Sequence, residues 1–277
     1  MDRKSPTLVR MPVRHALPVL PQRTGARSRA AIPAAVLREL NHGRDETRNL
    51  CEFLAIDQTA LAAAVLPALL GPRAAEPALA AATAVIGLGI MQRVRGIGLG
   101  LMAGSPAQLR KLANHRSDVV RCWACVAVLA QPGRSLAERL DDARPFAADA
   151  HFGVRELAWM ELRPHLAGDL PTALELLRAW ATDADANIRR CASEATRPRG
   201  VWCAHLKALI ADPTPAEALL TSLRADPARY VQLSVGNWLN DAGKTHPAWI
   251  TELAARWRRE APGVHTESIL RRGLRRF

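Results

Sequence analysis

From Pro33 onward, apolar positions recur at three- and four-residue spacing, and no segment shows the period of two that a half-buried strand requires. Ala34–Gly43 (AAVLRELNHG) reads as a helix stopped by its glycine, and Arg44–Gly71 as one or two helices broken near Asp57. Ala78–Met102 (ALAAATAVIGLGIMQRVRGIGLGLM) is apolar nearly all round, which predicts a buried helical segment. The pattern is that of an all-α chain.

A longer period lies over the helical one. Val120-Arg121, Val154-Arg155, Ile188-Arg189 and Val231-Gln232 each pair a β-branched residue with a polar one. Ala124, Ala158, Ala192 or Val235 follows four places after the first member, and Leu270-Arg271 with Leu274 reads as a fifth copy. The offsets are 34, 34, 43 and 39 residues, with a further helical stretch upstream of most copies. A helix pair at this period is the signature of an α-solenoid of HEAT-like repeats, in which one pair cannot bury its apolar stripe without a neighbour. Second helices of successive pairs then line one surface, and residues beside the signature (Arg121, Arg155, Glu156, Arg189, Arg190, Arg271, Arg272) form rows along it.

Charge changes this picture mainly at the ends. The net charge is +12. Residues 1–30 carry seven Lys/Arg against one acid, and residues 256–277 seven Arg against two Glu. The 225 residues between carry 24 bases against 23 acids. Residues 1–30, with prolines at 6, 12, 18 and 21, read as a basic, disordered tail, and 31–277 as a single repeat domain. An anion-binding surface in the body must come from sorting charge onto one face. Five cysteines and no signal-peptide pattern predict reduced thiols in a cytoplasmic protein. Cys122 and Cys125 form a C-x-x-C with no second ligand pair at zinc spacing, so we expect buried core residues and no metal. The most apolar stretch, Pro77–Met91, is 15 residues long and runs into Gln92, Arg93 and Arg95, too short for a membrane span.

Three segments carry a resemblance: HFGVRELAWMELRP, NIRRCASEATRPRGVW and YVQLSVGNWLNDAGKTHP. Together they resemble the AlkC/AlkD-type DNA alkylation-repair proteins, more closely AlkC. Most of the match lies in Ser193–Arg199 and Ser234–Pro247, and Leu40–Asp57 looks like the family's N-terminal helices. The likeness covers roughly residues 33–277, with no all-β region for the Ig-like domain of some AlkC relatives. It implies a HEAT-like fold and a monofunctional glycosylase that releases cationic alkylated purines such as 3-methyladenine without a cofactor. The implied partner is double-stranded DNA containing alkylated bases, met by a monomer in the cytoplasm, nucleoid-associated when bound. Some family members bind DNA without glycosylase activity, so a non-catalytic DNA-binding repeat protein is the alternative. A protein-binding scaffold is a third reading.

The chemistry needs little. An N3- or N7-alkylated purine is already a good leaving group, and a fixed carboxylate beside the sugar stabilises the oxocarbenium character that develops as the bond breaks and orients water. Glu156, Glu194 and Asp241 are the candidate carboxylates. Each also has an ordinary structural reading: Glu156 as a first-turn acid, Glu194 paired with Arg190 and Arg197 along its helix, Asp241 as a cap before Gly243. Arg155, Arg189, Arg190, Arg197, Arg199, Lys244, Arg271 and Arg272 are candidate phosphate contacts, and Asn237 a backbone or base-edge contact. Trp159 and Trp202, beside the charged segments, are the tryptophans expected to face a base or sugar; the others read as packing residues.

Overall fold

The computed structural model describes residues 23–276, and they are all-α: sixteen α-helices, two short 3-10 turns and no strand among the described residues. Two compact units divide them. The first runs to Phe146 and includes Ala150–Ala158; the second comprises Ala147–Asp149 and everything from Trp159.

The first unit holds α1 (Ala34–Asn41), α2 (Leu50–Ala55), α3 (Gln58–Leu70), α4 (Pro72–Ala84), α5 (Ile90–Gly100), α6 (Pro106–Ala113), α7 (Asp118–Leu129) and α8 (Leu136–Ala147). Helix α9 (Phe152–Gly168) begins in this unit and ends in the second. The predicted stop at Gly43 is real: this glycine has φ +69°, and a Cβ there would lie 2.7 Å from a Val65 methyl. The predicted break near Asp57 is the junction of α2 and α3, where the Asp57 carboxylate caps α3 by accepting from Thr59 N and Ala60 N. Of the expected basic tail, residues 1–22 lie outside the described residues, whereas Arg23 is anchored. Its Nε donates to Asp45 (2.8 Å) and its Nη1 to Glu52 (2.5 Å).

Ala78–Met102 departs from expectation. It is two helices joined by a turn at 85–89, not one buried segment. Ala78, Ala82, Val94 and Ile97 are buried, but Ile86, Leu88 and Leu99 are exposed. The glycines that make the run apolar also break it. Helix α7 is instead buried along its whole length, Cys122 and Cys125 included. Its first residue, Asp118, is a buried carboxylate satisfied by Thr47 N (3.0 Å) and Thr47 Oγ1 (2.7 Å).

The second unit holds α10 (Leu170–Ala181), α11 (Ala186–Ala195), α12 (Lys207–Ala211), α13 (Glu217–Ser222), α14 (Arg229–Gly243), α15 (Pro247–Glu260) and α16 (Val264–Gly273). Helix α11 packs on α14 and α14 on α16, so second helices of successive pairs are neighbours, as the repeat predicts.

The repeat signature itself has a structural job. Val120, Val154, Ile188 and Val231 are the third residues of α7, α9, α11 and α14, and all are buried. The polar residue after each reaches back to carbonyls five or six places earlier. Arg121 Nη1 donates to His115 O (2.9 Å) and Arg116 O (2.7 Å), and Arg155 Nη1 to Ala150 O (2.8 Å). Arg189 Nη1 donates to Asp183 O (2.8 Å) and Ala184 O (3.0 Å). Gln232 Nε2 donates to Asp226 O (2.9 Å) and Pro227 O (3.4 Å). Each side chain thus closes the turn that leads into its own helix by satisfying carbonyls that no helix partner can reach. Glutamine replaces arginine because the task needs N–H donors at fixed reach, not charge. Leu270-Arg271 is not an in-register fifth copy: it sits seven residues into α16, where Thr266 occupies the third place and donates to Ala261 O (2.6 Å).

Candidate functional site

Helix α11 ends where Arg197 precedes Pro198, a dipeptide that disfavours further helix. Thr196 caps the end: its Oγ1 donates to Ala192 O (3.0 Å), and its own carbonyl accepts from Trp238 Nε1 (3.0 Å) on α14. Arg197, the next residue, is thereby turned back across the face that α11 and α14 share. Its Nη1 donates to Glu194 Oε1 (2.5 Å), while Nε (3.0 Å) and Nη2 (2.7 Å) both donate to Asp241 Oδ2.

Two carboxylates from adjacent repeats therefore meet on one guanidinium, and both are almost buried, Glu194 at 4% and Asp241 at 5% exposure. Ser234, about two helical turns before Asp241 on α14, donates to Glu194 Oε2 (2.6 Å). Arg190 Nη2 lies 3.6 Å from the same oxygen, and its guanidinium stacks 4.4 Å above the Tyr230 ring. Lys244 Nζ, the most exposed partner, donates to Asp241 Oδ1 (2.9 Å). Every carboxylate oxygen has a donor, and Asp241 Oδ2 accepts two, so its lone pairs are both engaged. Burial opposes the Arg197 charge, but Glu194 and Asp241 outweigh it and raise the Arg197 pKa above its ordinary value.

Cations crowd the neighbouring helix. Arg272 Nε donates to Asn237 Oδ1 (2.8 Å) on α14, and Arg275 Nη2 to Asn240 Oδ1 (3.1 Å). Burial lowers the Arg272 pKa, and repulsion from Arg275, Arg229 and Arg197 lowers it further. Arg271 is exposed on the same helix.

The expected site residues thus divide. Glu194, Asp241, Arg190, Arg197 and Lys244 come together, with Asn237 and Arg272 on the adjoining helix face. Arg189 is held by Asp226, through Nε (2.6 Å) and Nη2 (3.0 Å), as well as by its turn carbonyls, so it is a structural residue in this state. Arg155 closes its turn in the same way, and it belongs with Glu156 to the first unit. Trp159 is buried in the core and offers no open face. Trp202 is 53% exposed, and Arg199 Nε is shielded from solvent without an acceptor.

Sequence reasoning missed Ser234, Tyr230 and Arg163. Ser234 shares a helix face with Trp238 and Asp241, a spacing of four and three that was legible. Arg163 carried no local signal, because its partners lie 32 to 41 residues away: Nη1 donates to Ala195 O and Arg197 O (both 2.9 Å), and Nη2 to Ala204 O (2.8 Å).

A helical-repeat protein with a carboxylate pair set among arginines is the class that fold and site define. Comparison with known proteins narrows it. The family model for "DNA alkylation repair enzyme" matches residues 153–269, which include the whole carboxylate cluster. The uncharacterized protein YhaZ of Bacillus subtilis is 38% identical over 114 residues, 41% of this chain and 31% of that one. The structure of Pseudomonas fluorescens alkylpurine DNA glycosylase AlkC, bound to DNA containing an abasic site analog, superposes with a TM-score of 0.68 at 27% identity. That match covers 88% of this chain and 65% of AlkC. Residues 153–269 thus match the DNA alkylation repair enzyme family, and the fold is similar to that of AlkC. The chain spans about a third of its curated relative and about two thirds of the AlkC chain.

Proposed function

We propose that this protein is a DNA glycosylase that hydrolyses the N-glycosidic bond of cationic alkylated purines, such as 3-methyladenine, in double-stranded DNA. The observation that carries the reading is the meeting of Glu194 and Asp241, from adjacent repeats, on Arg197 beside the arginines of α16. The likeness to an alkylpurine glycosylase over most of this chain supports it.

The leaving base is already cationic, so the protein's task is at the sugar. A buried carboxylate, held by donors that need not reorganise, stabilises positive charge developing at the anomeric carbon far better than one in water. Asp241 Oδ1 is the oxygen that Arg197 leaves unbound. Its one partner, Lys244, is the exposed end of the network, and a DNA phosphate drawing Lys244 away would free that oxygen for the sugar or for the attacking water. Glu194, locked by Ser234 and Arg197, sets the field and holds Arg197 in place. Lys244, Arg199, Arg271 and Arg272 are the phosphate contacts in this reading. The protein acts as a monomer wherever chromosomal DNA lies.

Release of methylated base from methylated duplex DNA tests the proposal. Glu194→Gln and Asp241→Asn should each lower the rate by about 10²–10³-fold, the loss typical of removing one preorganised electrostatic group. Equal release by wild type and both variants would refute the assignment. One observation favours a non-catalytic DNA-binding reading: every oxygen of the carboxylate pair is already occupied by a donor. Duplex binding that weakens steeply with salt, with no base released by wild type, would decide for it.

A further inference from the structure

The loop between α11 and α12 is held both by its own backbone and by a buried side chain. Leu206 N donates to Pro198 O (3.0 Å), closing it at its base. The Arg163 guanidinium, buried beneath it, grips the incoming strand at Ala195 O and Arg197 O and the outgoing strand at Ala204 O. Gly200 makes room for this: a Cβ there would run into Cys203 Sγ and lie 3.0 Å from Arg163 Cζ. What the clamp presents is apolar and open to water. Val201 and Trp202 are each 53% exposed, and Trp202 has φ +64°, the only positive φ outside glycine among the described residues. A bulky aromatic side chain kept in solvent on a left-handed backbone is strain that packing does not repay, and such outliers cluster where a ligand is met.

The surroundings say which ligand. Residues 197–211 contain no acid, and they carry Arg197, Arg199, Lys207 and His205. Arg199 Nε lacks an acceptor. An apolar tip on a segment that carries Arg199 and Lys207 and no acid complements a polyanion with an apolar interior, which describes stacked bases between phosphates and does not describe a typical protein surface. Arg163 also ties the loop to the carbonyl of Arg197, whose side chain bridges the two carboxylates. Arg163 therefore links the base of the tip to the residue that holds the carboxylate pair.

We infer that Val201 and Trp202 form a wedge that enters the base stack of duplex DNA next to the lesion, and that Arg163 is the positioning residue that holds the wedge in register with Glu194 and Asp241. The inference rests on DNA being the partner but not on base release. It predicts local unstacking, which a duplex containing 2-aminopurine beside an abasic-site analogue reports as a rise in fluorescence on binding. Trp202→Ala should abolish the rise and weaken binding about tenfold, the scale of one base–aromatic stack, without changing the salt slope or the melting temperature. Arg163→Met, checked by circular dichroism for retained helix, should lose the rise while Trp202 is still present. A probe that stays dark with wild type overturns the wedge, as does one equally bright with Trp202→Ala. Dimerisation through the tip, lost in Trp202→Ala while the probe stays dark, overturns it in favour of a self-association surface. Bright fluorescence without base release would leave the wedge standing and remove the glycosylase reading.

Discussion

Removing the Arg197 guanidinium while keeping its volume, as Arg197→Met, should be among the most damaging single changes to the second unit. Arg197 supplies three charged hydrogen bonds, to Glu194 at 2.5 Å and to Asp241 at 3.0 and 2.7 Å. Without it, Asp241 keeps only Lys244, and Glu194 keeps Ser234 and the longer contact to Arg190. Two nearly buried carboxylates then face one another undercompensated. Breaking a buried ion pair by removing one partner costs about 3–5 kcal/mol. That is a large part of a typical stability of about 5–15 kcal/mol, and it corresponds to a fall in melting temperature of about 10 °C. Urea denaturation followed by far-UV circular dichroism measures it, and a double-mutant cycle isolates the cause. Asp241→Asn in the Arg197→Met background should restore stability, whereas the same change in the wild type should reduce it, with a coupling of about 1–3 kcal/mol. A loss below about 1 kcal/mol, with additive effects, would show that Arg197 is not the counter-charge of this pair.

Two further outcomes follow from local geometry. His115, partly buried, accepts from Ser117 N through Nδ1, and burial followed by repulsion from Arg121 and Arg116 pushes its pKa down to about 4. Because the folded form resists a proton that the unfolded chain accepts near pH 6.5, stability should fall as the pH drops from about 6.5 to 4, by at most about 3 kcal/mol; His115→Asn should flatten that limb of a pH–stability curve, and an unchanged curve would refute the cause. Gln232→Ala should cost about 1–3 kcal/mol of stability, read as a lower urea midpoint, and Arg189→Gln should cost less than Arg189→Ala because the amide still reaches the turn carbonyls; equal losses for the two Arg189 variants would remove the turn-closing role.

The repeat explains why some of the site was legible in the chain and some was not. Glu194 and Asp241 lie 47 residues apart, about one repeat, and stacking second helices brings them together as the period implies. Arg155 and Arg189 recur at the same period and read as a row facing phosphates. Their reach, however, is set by the turn behind each helix, and the sequence shows only their charge. Gln232 was the signal: an uncharged residue in the same place argues for hydrogen-bond donation to the backbone. Trp202 could be singled out among seven tryptophans only by its charged neighbours, since its exposure depends on Arg163, a residue of the previous helix pair.

The turn-closing side chains bear on how this chain reaches its fold. Each donates to carbonyls only five or six residues behind it, so each repeat can set its own entry angle before any neighbour has arrived. Contacts of that short range cost little loop-closure entropy, and they belong to the class that forms early and fast. A helix pair that carries its own hinge-lock can serve as a seed anywhere along the array, and folding can spread outward from whichever repeat closes first.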